Sequence, residues 1–288
     1  DLIKISQHVL NVNPLDSPYK MIAADANRSN TITTLDLIQI RKLILNLTTE
    51  FPNNTSWRFV DADHDWTDLT NPWLDVFPEL ISENDLADDL LDADFVGVKI
   101  GDVNGSAQAN ALASADRNLE GIFHLQAEDI ALKAGNTYTV AITGENLSQI
   151  KGYQGTLQLA GAELLDIEYA LAQAENFGLL FVDQGLITMS WNRIDAIYRI
   201  GNADVLFSLV IRATDNRQLS EVLSINDRYT PSEAYASLPQ GSTDPDVHRQ
   251  WGDIAPRQRG LQINFTQSLT TGPVFELYQT SPNPFREG

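Results

Sequence analysis

Asp25-Ala-Asn-Arg-Ser-Asn-Thr-Ile-Thr-Thr-Leu-Asp36 is the stretch on which the reading of this 288-residue chain turns. Oxygen-bearing residues stand at its first, third, fifth, seventh and twelfth positions: Asp25, Asn27, Ser29, Thr31 and Asp36. Hard Ca²⁺ takes about six to eight oxygen ligands, and a twelve-residue loop supplies them from these positions, the seventh through its backbone carbonyl. The sixth position needs a positive φ, and Asn30 is the side chain that tolerates this best after glycine. Ile32 at the eighth position is expected to point inward and tie the loop to a helix. The competing reading is an Asx-rich turn followed by a helix cap, with Asp36 as the capping carboxylate.

Beyond the loop, Leu37, Ile40, Leu43, Ile44 and Leu47 mark one face of an amphipathic helix. Asp36–Leu47 aligns without gaps on Asp1–Val12, with six identities in twelve at an offset of 35 residues. In the first copy Leu2, Ile5, Val9 and Val12 repeat the apolar face, so the chain carries two similar helices. Loop and helix together resemble type I dockerin repeats, in which a calcium loop of the form D-x-N-x-D-G-x-I-x-x-x-D runs into a helix beginning D-L. The resemblance implies Ca²⁺ held by Asp25, Asn27, Ser29, Thr31 and Asp36, and it makes Asp1 the twelfth position of an earlier loop whose other ligands lie upstream. Ser29 stands where the family has aspartate and Asn30 where it has glycine, which argues for weaker binding. Thr34 and Leu35 occupy the loop positions that face the partner in dockerins, and are candidate contact residues on that basis.

Between Trp57 and Gly105 the dockerin pattern stops, and Trp66, Pro72, Trp73 and Pro78 suggest an irregular insertion over residues 57–105. Within it Asp61, Asp63 and Asp65 alternate as at the start of a calcium loop, but Arg58-Phe-Val-Asp61 reads equally as a strand with solvated carboxylates. Asp102-Val-Asn104-Gly-Ser106 repeats the first half of the main loop. It either completes the site that contains Asp1 or is a turn into the small, polar connection Gly105–Ala115.

Residues 1–112 hold 18 acidic and 7 basic side chains, and the whole chain carries a formal charge of -20 with no cysteine. Such a surface repels phosphate backbones and anionic membranes, and no basic patch interrupts it. Disulfides and thiolate metal sites are ruled out, leaving oxygen ligands as the plentiful metal chemistry. The apolar runs are far shorter than the roughly 18 residues of a membrane span.

From Gly121 the helical period gives way to short alternating runs: Ile122–Ala127, Tyr138–Ile142, Tyr153–Leu159, Leu164–Tyr169, Leu186–Trp191, Val205–Ile211 and Leu261–Phe265. They read as an antiparallel β-sandwich over residues 113–268, with Val140, Ile142, Leu157, Leu159, Leu186, Trp191, Phe207 and Leu209 on its core face. Lys133–Val140, Ile150–Leu159 and Ala203–Ile211 resemble successive strands of cohesin modules, jelly-roll sandwiches akin to bacterial adhesins; Pro239–Arg259 departs from that pattern. The C-terminal Phe275–Phe285, with its Ser-Pro-Asn-Pro-Phe ending, resembles the opening of the C-terminal sorting domain of type IX secretion in Bacteroidetes. That resemblance makes residues 269–288 a linker and the start of a sorting domain, and places the protein at the cell surface or outside the cell.

The fold class expected is therefore α+β multidomain: a dockerin-like helical calcium module over 1–112, then a cohesin-like sandwich. His8, His64, His124 and His248 fall in separate elements, and no spacing marks a catalytic triad or a zinc motif. The expected function is a non-catalytic interaction or assembly module, in which the calcium-stabilised unit docks on a β-sandwich. That sandwich is either its neighbour in the chain or belongs to another copy, head to tail, which builds a filament. The alternative is a carbohydrate-binding or adhesive region of a secreted polysaccharide-acting enzyme, with Trp66, Trp73 and Trp251 as stacking platform.

Overall fold

The computed structural model describes residues 1–86, 88–91, 93–107, 121–193, 201, 204–236 and 257–267. Two hydrophobic cores form, one from residues 2–103 and one from residues 123–261. The first gathers three helices, α1 (Leu2–Val9), α2 (Pro18–Ala24) and α3 (Thr34–Ile44), and a two-stranded antiparallel sheet of β1 (Trp57–Asp61) and β2 (Phe95–Lys99). Ile5 and Leu2 from α1 meet Leu37 and Ile40 from α3, with Met21 and Ile22 of α2 completing the cluster.

The repeat seen in the sequence is a repeat of structure. α1 and α3 pack on one another and end in the same way, with a left-handed asparagine: Asn11 at φ 55° and Asn46 at φ 58°. In each, the second residue beyond the cap bonds back five residues, Val12 N–H to the Gln7 carbonyl and Leu47 N–H to the Lys42 carbonyl. This is the Schellman arrangement, in which asparagine replaces glycine because its side chain tolerates positive φ. α2, between the copies, begins on Pro18, whose missing N–H costs nothing in a first turn.

Residues 57–105 are not a mere insertion, as the sequence suggested. Val60 and Val98 on the paired strands, with Ile100 and Val103 just beyond, are buried in the same core as the helices. On β1, alternation turns Arg58 and Val60 inward while Phe59 between them stays exposed.

The second core lies inside a sandwich whose seven expected strands all form. They are β3 (Ile122–Asp129), β5 (Thr137–Gly144), β6 (Ile150–Leu159), β7 (Ala162–Tyr169), β9 (Leu186–Asn192), β10 (Phe207–Ala213) and β14 (Arg257–Gln267). Every predicted core residue is buried, but Leu186 alternates onto the outer face of β9 and does not join the sandwich core as expected. Short strands β4 (Ala131–Leu132), β8 (Phe177–Gly178), β11 (Arg217–Gln218), β12 (Leu223–Asn226) and β13 (Glu233–Ala236) fill the gaps, with a one-turn helix, α4 (Leu219–Val222). One path of hydrogen bonds runs β7-β10-β5-β3-β14-β13-β6-β9-β8, with β12 also on β6. The sandwich is not purely antiparallel as expected. β3 and β14, its first and last strands, run parallel over Ile122–Asp129 and Gly260–Gln267, which closes the module by joining its two ends. β3 also pairs briefly with β5, so it carries the sheet from one layer to the other.

Trp251 and the rest of the stretch from Pro239 to Pro256, the connection from residue 108, and the segment 269–288 that resembles a sorting domain lie outside the described residues. Among the described residues, no helix is long and apolar enough to cross a membrane.

Candidate functional site

The twelve-residue loop is closed by its own carboxylates. Asp25 Oδ1 accepts the Ser29 N–H at 2.9 Å and its Oδ2 accepts the Asn30 N–H at 2.8 Å, while Asn27 Oδ1 accepts Ser29 N–H at 3.0 Å. From the far end Asp36 Oδ1 takes the Asn27 N–H at 3.1 Å. Its Oδ2 takes the Thr33 N–H at 2.8 Å, and Thr33 Oγ1 in turn caps α3 by accepting the Leu35 N–H. Both readings of Asp36 are thus realised in one side chain: one oxygen serves a capping box and the other closes the loop. α3 accordingly starts at Thr34, two residues earlier than the apolar periodicity suggests.

Asp25 and Asp36 are both fully buried. Burial pushes the Asp25 carboxyl above the usual carboxylate range and the neighbouring Asp36 adds to this; the Ser29 and Asn30 amides and Arg58 pull it back. Two buried carboxylates favour a shared cation, and the donors on offer are all oxygen, which suits a hard ion. Among the described residues no three His, Asp or Glu side chains converge. The loop instead combines two carboxylates with the Asn27 amide, the Ser29 hydroxyl and Thr31, whose carbonyl accepts from Ser29 Oγ at 3.1 Å. This donor set fits Ca²⁺: ionised oxygens retain free lone pairs after accepting backbone bonds.

Asp102–Ala107 reproduces the first half of this pattern, and Asp1 bonds to it. Asp102 Oδ1 accepts Ser106 N–H at 3.2 Å, its Oδ2 accepts Ala107 N–H at 2.8 Å, and Asn104 Oδ1 accepts Ser106 N–H at 2.8 Å. Asp1 Oδ1 takes Asn104 N–H at 3.1 Å, as Asp36 takes Asn27. Asp1 is thus bonded to the half-loop of residues 102–107, a hundred residues downstream. At the fourth position this loop has Gly105 at φ 72°, where the main loop has Arg28 at φ 58°. Four of the five described non-glycine residues with positive φ are asparagines, and Arg28 is the exception. A left-handed backbone costs an ordinary L-residue roughly 1–2 kcal/mol.

Arg28 is held from outside the loop. Its Nη2 lies 3.0 Å from Glu79 Oε2, and Glu79 Oε1 lies 2.7 Å from Nε of Arg58, a buried residue of β1. These two arginines keep the Glu79 carboxyl below its usual range, the hydrogen bond from Arg58 contributing most. Asn54 Nδ2 donates to the Asp25 carbonyl at 2.9 Å. Asp61, Asp63 and Asp65 are not gathered in this way: Asp61 Oδ1 accepts the Asp63 N–H at 3.0 Å in an Asx turn, and Asp63 and Asp65 are exposed.

The other end of α3 meets the sandwich. Thr188 Oγ1, on β9, donates to the Leu45 carbonyl at 2.7 Å, and Thr230 Oγ1 donates to the Ile44 carbonyl at 2.8 Å. Arg41 donates to Asn192 Oδ1, and Asn46 Nδ2 to the Tyr229 carbonyl at 3.4 Å. Helix ends leave carbonyls without intrahelical partners, and here two of them are satisfied by hydroxyls of the sandwich. Gly178 on β8 makes the approach possible, because a Cβ there would stand 2.7 Å from the Leu45 carbonyl oxygen. Leu45 itself is 2% exposed.

Thr34 and Leu35, the contact residues implied by the resemblance, are exposed at the opposite end of α3 from this junction. The residues that do make it were missed, although one signal was present. Ile187, Met189 and Trp191 face the sandwich core, yet Leu186, Thr188 and Ser190 between them are buried too, so β9 is covered on both faces. A threonine within the apolar run Leu-Ile-Thr-Met is the mark of that covered outer face. Trp66 and Trp73 are partly buried and pack against the first core, Trp66 edge-on to Tyr19 with ring centroids 5.6 Å apart. They plug that core rather than forming an open stacking platform.

No family model matches the chain, and no curated protein matches it. Solved structures to which it is similar include cohesin modules. A type I cohesin from Pseudobacteroides cellulosolvens is 13% identical, with 51% of this chain and 93% of that one covered at a TM-score of 0.33. A type I cohesin–dockerin complex from Clostridium thermocellum contributes a chain at 13% identity, 51% and 97% coverage and a TM-score of 0.33. A non-cellulosomal cohesin from Archaeoglobus fulgidus gives 12%, 51%, 92% and 0.29.

Proposed function

We propose that this chain is a non-catalytic, extracellular interaction and assembly module. In it a calcium-binding helical unit of dockerin type docks through the C-terminal end of α3 on a β-sandwich. The observation that carries the reading is the seating of the Ile44 and Leu45 carbonyls on the Thr230 and Thr188 hydroxyls, a polar contact between elements more than a hundred residues apart. Calcium enters at Asp25, Asn27, Ser29, Thr31 and Asp36, and at the matching set Asp1, Asp102, Asn104. It stabilises only the folded loops, and so secures the helix whose far end makes the contact. The same contact made between copies, with Thr34 and Leu35 as a further face for a partner, builds a head-to-tail filament. Export by type IX secretion rests on the Phe275–Phe285 string alone.

Calorimetric titration of the full chain with Ca²⁺ is expected to show saturable binding, and an absence of heat at every concentration sinks the calcium part. Light scattering with calcium over a concentration series tests assembly. Mass rising with concentration supports docking between copies, and a constant monomer mass confines the contact to a single chain. The alternative is sugar recognition; of its three tryptophans, Trp66 and Trp73 pack partly buried against the first core and Trp251 lies outside the described residues.

A further inference from the structure

The main loop carries at its fourth position a residue that its geometry disfavours. Arg28 adopts φ 58°, where the equivalent residue of the second loop is Gly105 at φ 72°. Inside the loop only the Arg28 backbone is held, by a long bond from its N–H to the Asp25 carbonyl at 3.4 Å. The other loop bonds run between Asp25, Asn27, Ser29, Asn30, Thr31, Thr33 and Asp36, and none reaches the Arg28 side chain. The compensation comes from residues 58–79. Glu79 bridges Arg28 and Arg58, at 3.0 Å and 2.7 Å, and its anchor Arg58 is 6% exposed on β1, with its guanidinium 4.9 Å from the centre of the Phe77 ring. An exposed ion pair alone contributes little, but here one partner of the bridge is fixed by burial in the core and by a strand. Asn54 holds the loop from the same side, through the Asp25 carbonyl.

We propose that the Arg28–Glu79–Arg58 bridge holds the Asp25–Asp36 loop closed in the metal-free protein, so that a divalent cation meets a formed site instead of having to fold one. Glu79 is thus a positioning residue, acting through Arg28 on the backbone that presents Asn27 and Ser29. The choice of calcium as the cation rests on the function proposed above; the bridge itself does not. This gives residues 57–105 a role beyond completing the first core: they brace the loop whose fourth position is strained, whereas the second loop places Gly105 there and needs no brace.

The test is amide hydrogen exchange on the full chain in chelator, read at Ser29 and Asn30, whose N–H groups bond Asp25. Glu79→Gln, which keeps size and removes charge, is expected to speed exchange at both amides at least tenfold, with the β6–β9 amides of the sandwich unchanged as a folding control. Arg28→Ala, an exposed change that cuts only one arm, should act in the same direction if Glu79→Gln proves unstable. Added Ca²⁺ should narrow the difference. Equal exchange in wild type and variants in chelator overturns the proposal, as does a wild type whose Ser29 and Asn30 amides are already unprotected there. If calcium alters exchange in none of the proteins while the variants still open the loop, the calcium reading falls and the bridge stands.

Discussion

Asp25 is the residue at which charge, burial and ligand chemistry meet. Because its carboxyl titrates above the ordinary range when folded, the metal-free folded state binds this proton more tightly than the unfolded chain does. Its contribution to stability is therefore fully present below the unfolded value of about 3.9 and is lost as pH rises through the raised folded value. In chelator, the melting temperature of wild type relative to Asp25→Asn should fall as pH rises from acid toward neutrality. With saturating calcium the order reverses, since the ion favours the ionised carboxylate, and wild type should gain on Asp25→Asn over the same interval. Parallel melts of the two proteins check this, and a difference that ignores pH in chelator would mean that Asp25 is not desolvated.

At the scale of elements, α3 is fixed at both ends by different chemistry: a capping box and the loop at its start, and threonine hydroxyls of the sandwich at its finish. Thr188→Val keeps the side-chain shape but leaves the Leu45 carbonyl buried without a donor, an expected loss of about 1–3 kcal/mol. Urea unfolding should show this as a lower midpoint at unchanged slope. Gly178→Ala acts more strongly, because the added methyl would overlap Thr188 Oγ1 and stand 2.7 Å from the Leu45 carbonyl oxygen, so that the hydroxyl and the helix end it holds are forced apart. It should release the Asn46 and Leu47 amides to exchange while leaving the sandwich strands protected. If Gly178→Ala leaves those amides as slow as in wild type, the helix end is not seated on β8 and β9.

For the whole molecule, two separate cores imply two unfolding units joined where the end of α3 sits on β8 and β9. Calorimetry should resolve two transitions, of which calcium raises the one belonging to residues 1–107. At a hundredfold excess over Kd the gain is about 2.7 kcal/mol. The sandwich transition should move only as far as the contact at Thr188 and Thr230 transmits, and that residual shift should vanish in Gly178→Ala. A single transition shifted as a unit would show the two cores to be thermodynamically one.

What the sequence determined by itself is whatever depends on neighbours along the chain. The ligand-like spacing from Asp25 to Asp36, the duplicated helices and the seven main strands follow from local periodicity and side-chain chemistry, which act over a few residues. Even the left-handed Asn30 was legible, because only a few residue types accept that backbone. Other features required the tertiary structure: the bonding of Asp1 to the half-loop of residues 102–107, the parallel joining of β3 to β14, the bracing of Arg28 by Glu79, and the seating of α3 on β9. Each joins groups that are distant in the chain and inconspicuous where they stand, and only the burial of two cores brings them within hydrogen-bonding distance. A threonine hydroxyl carries no sign in sequence of which carbonyl it will serve, because packing makes that choice.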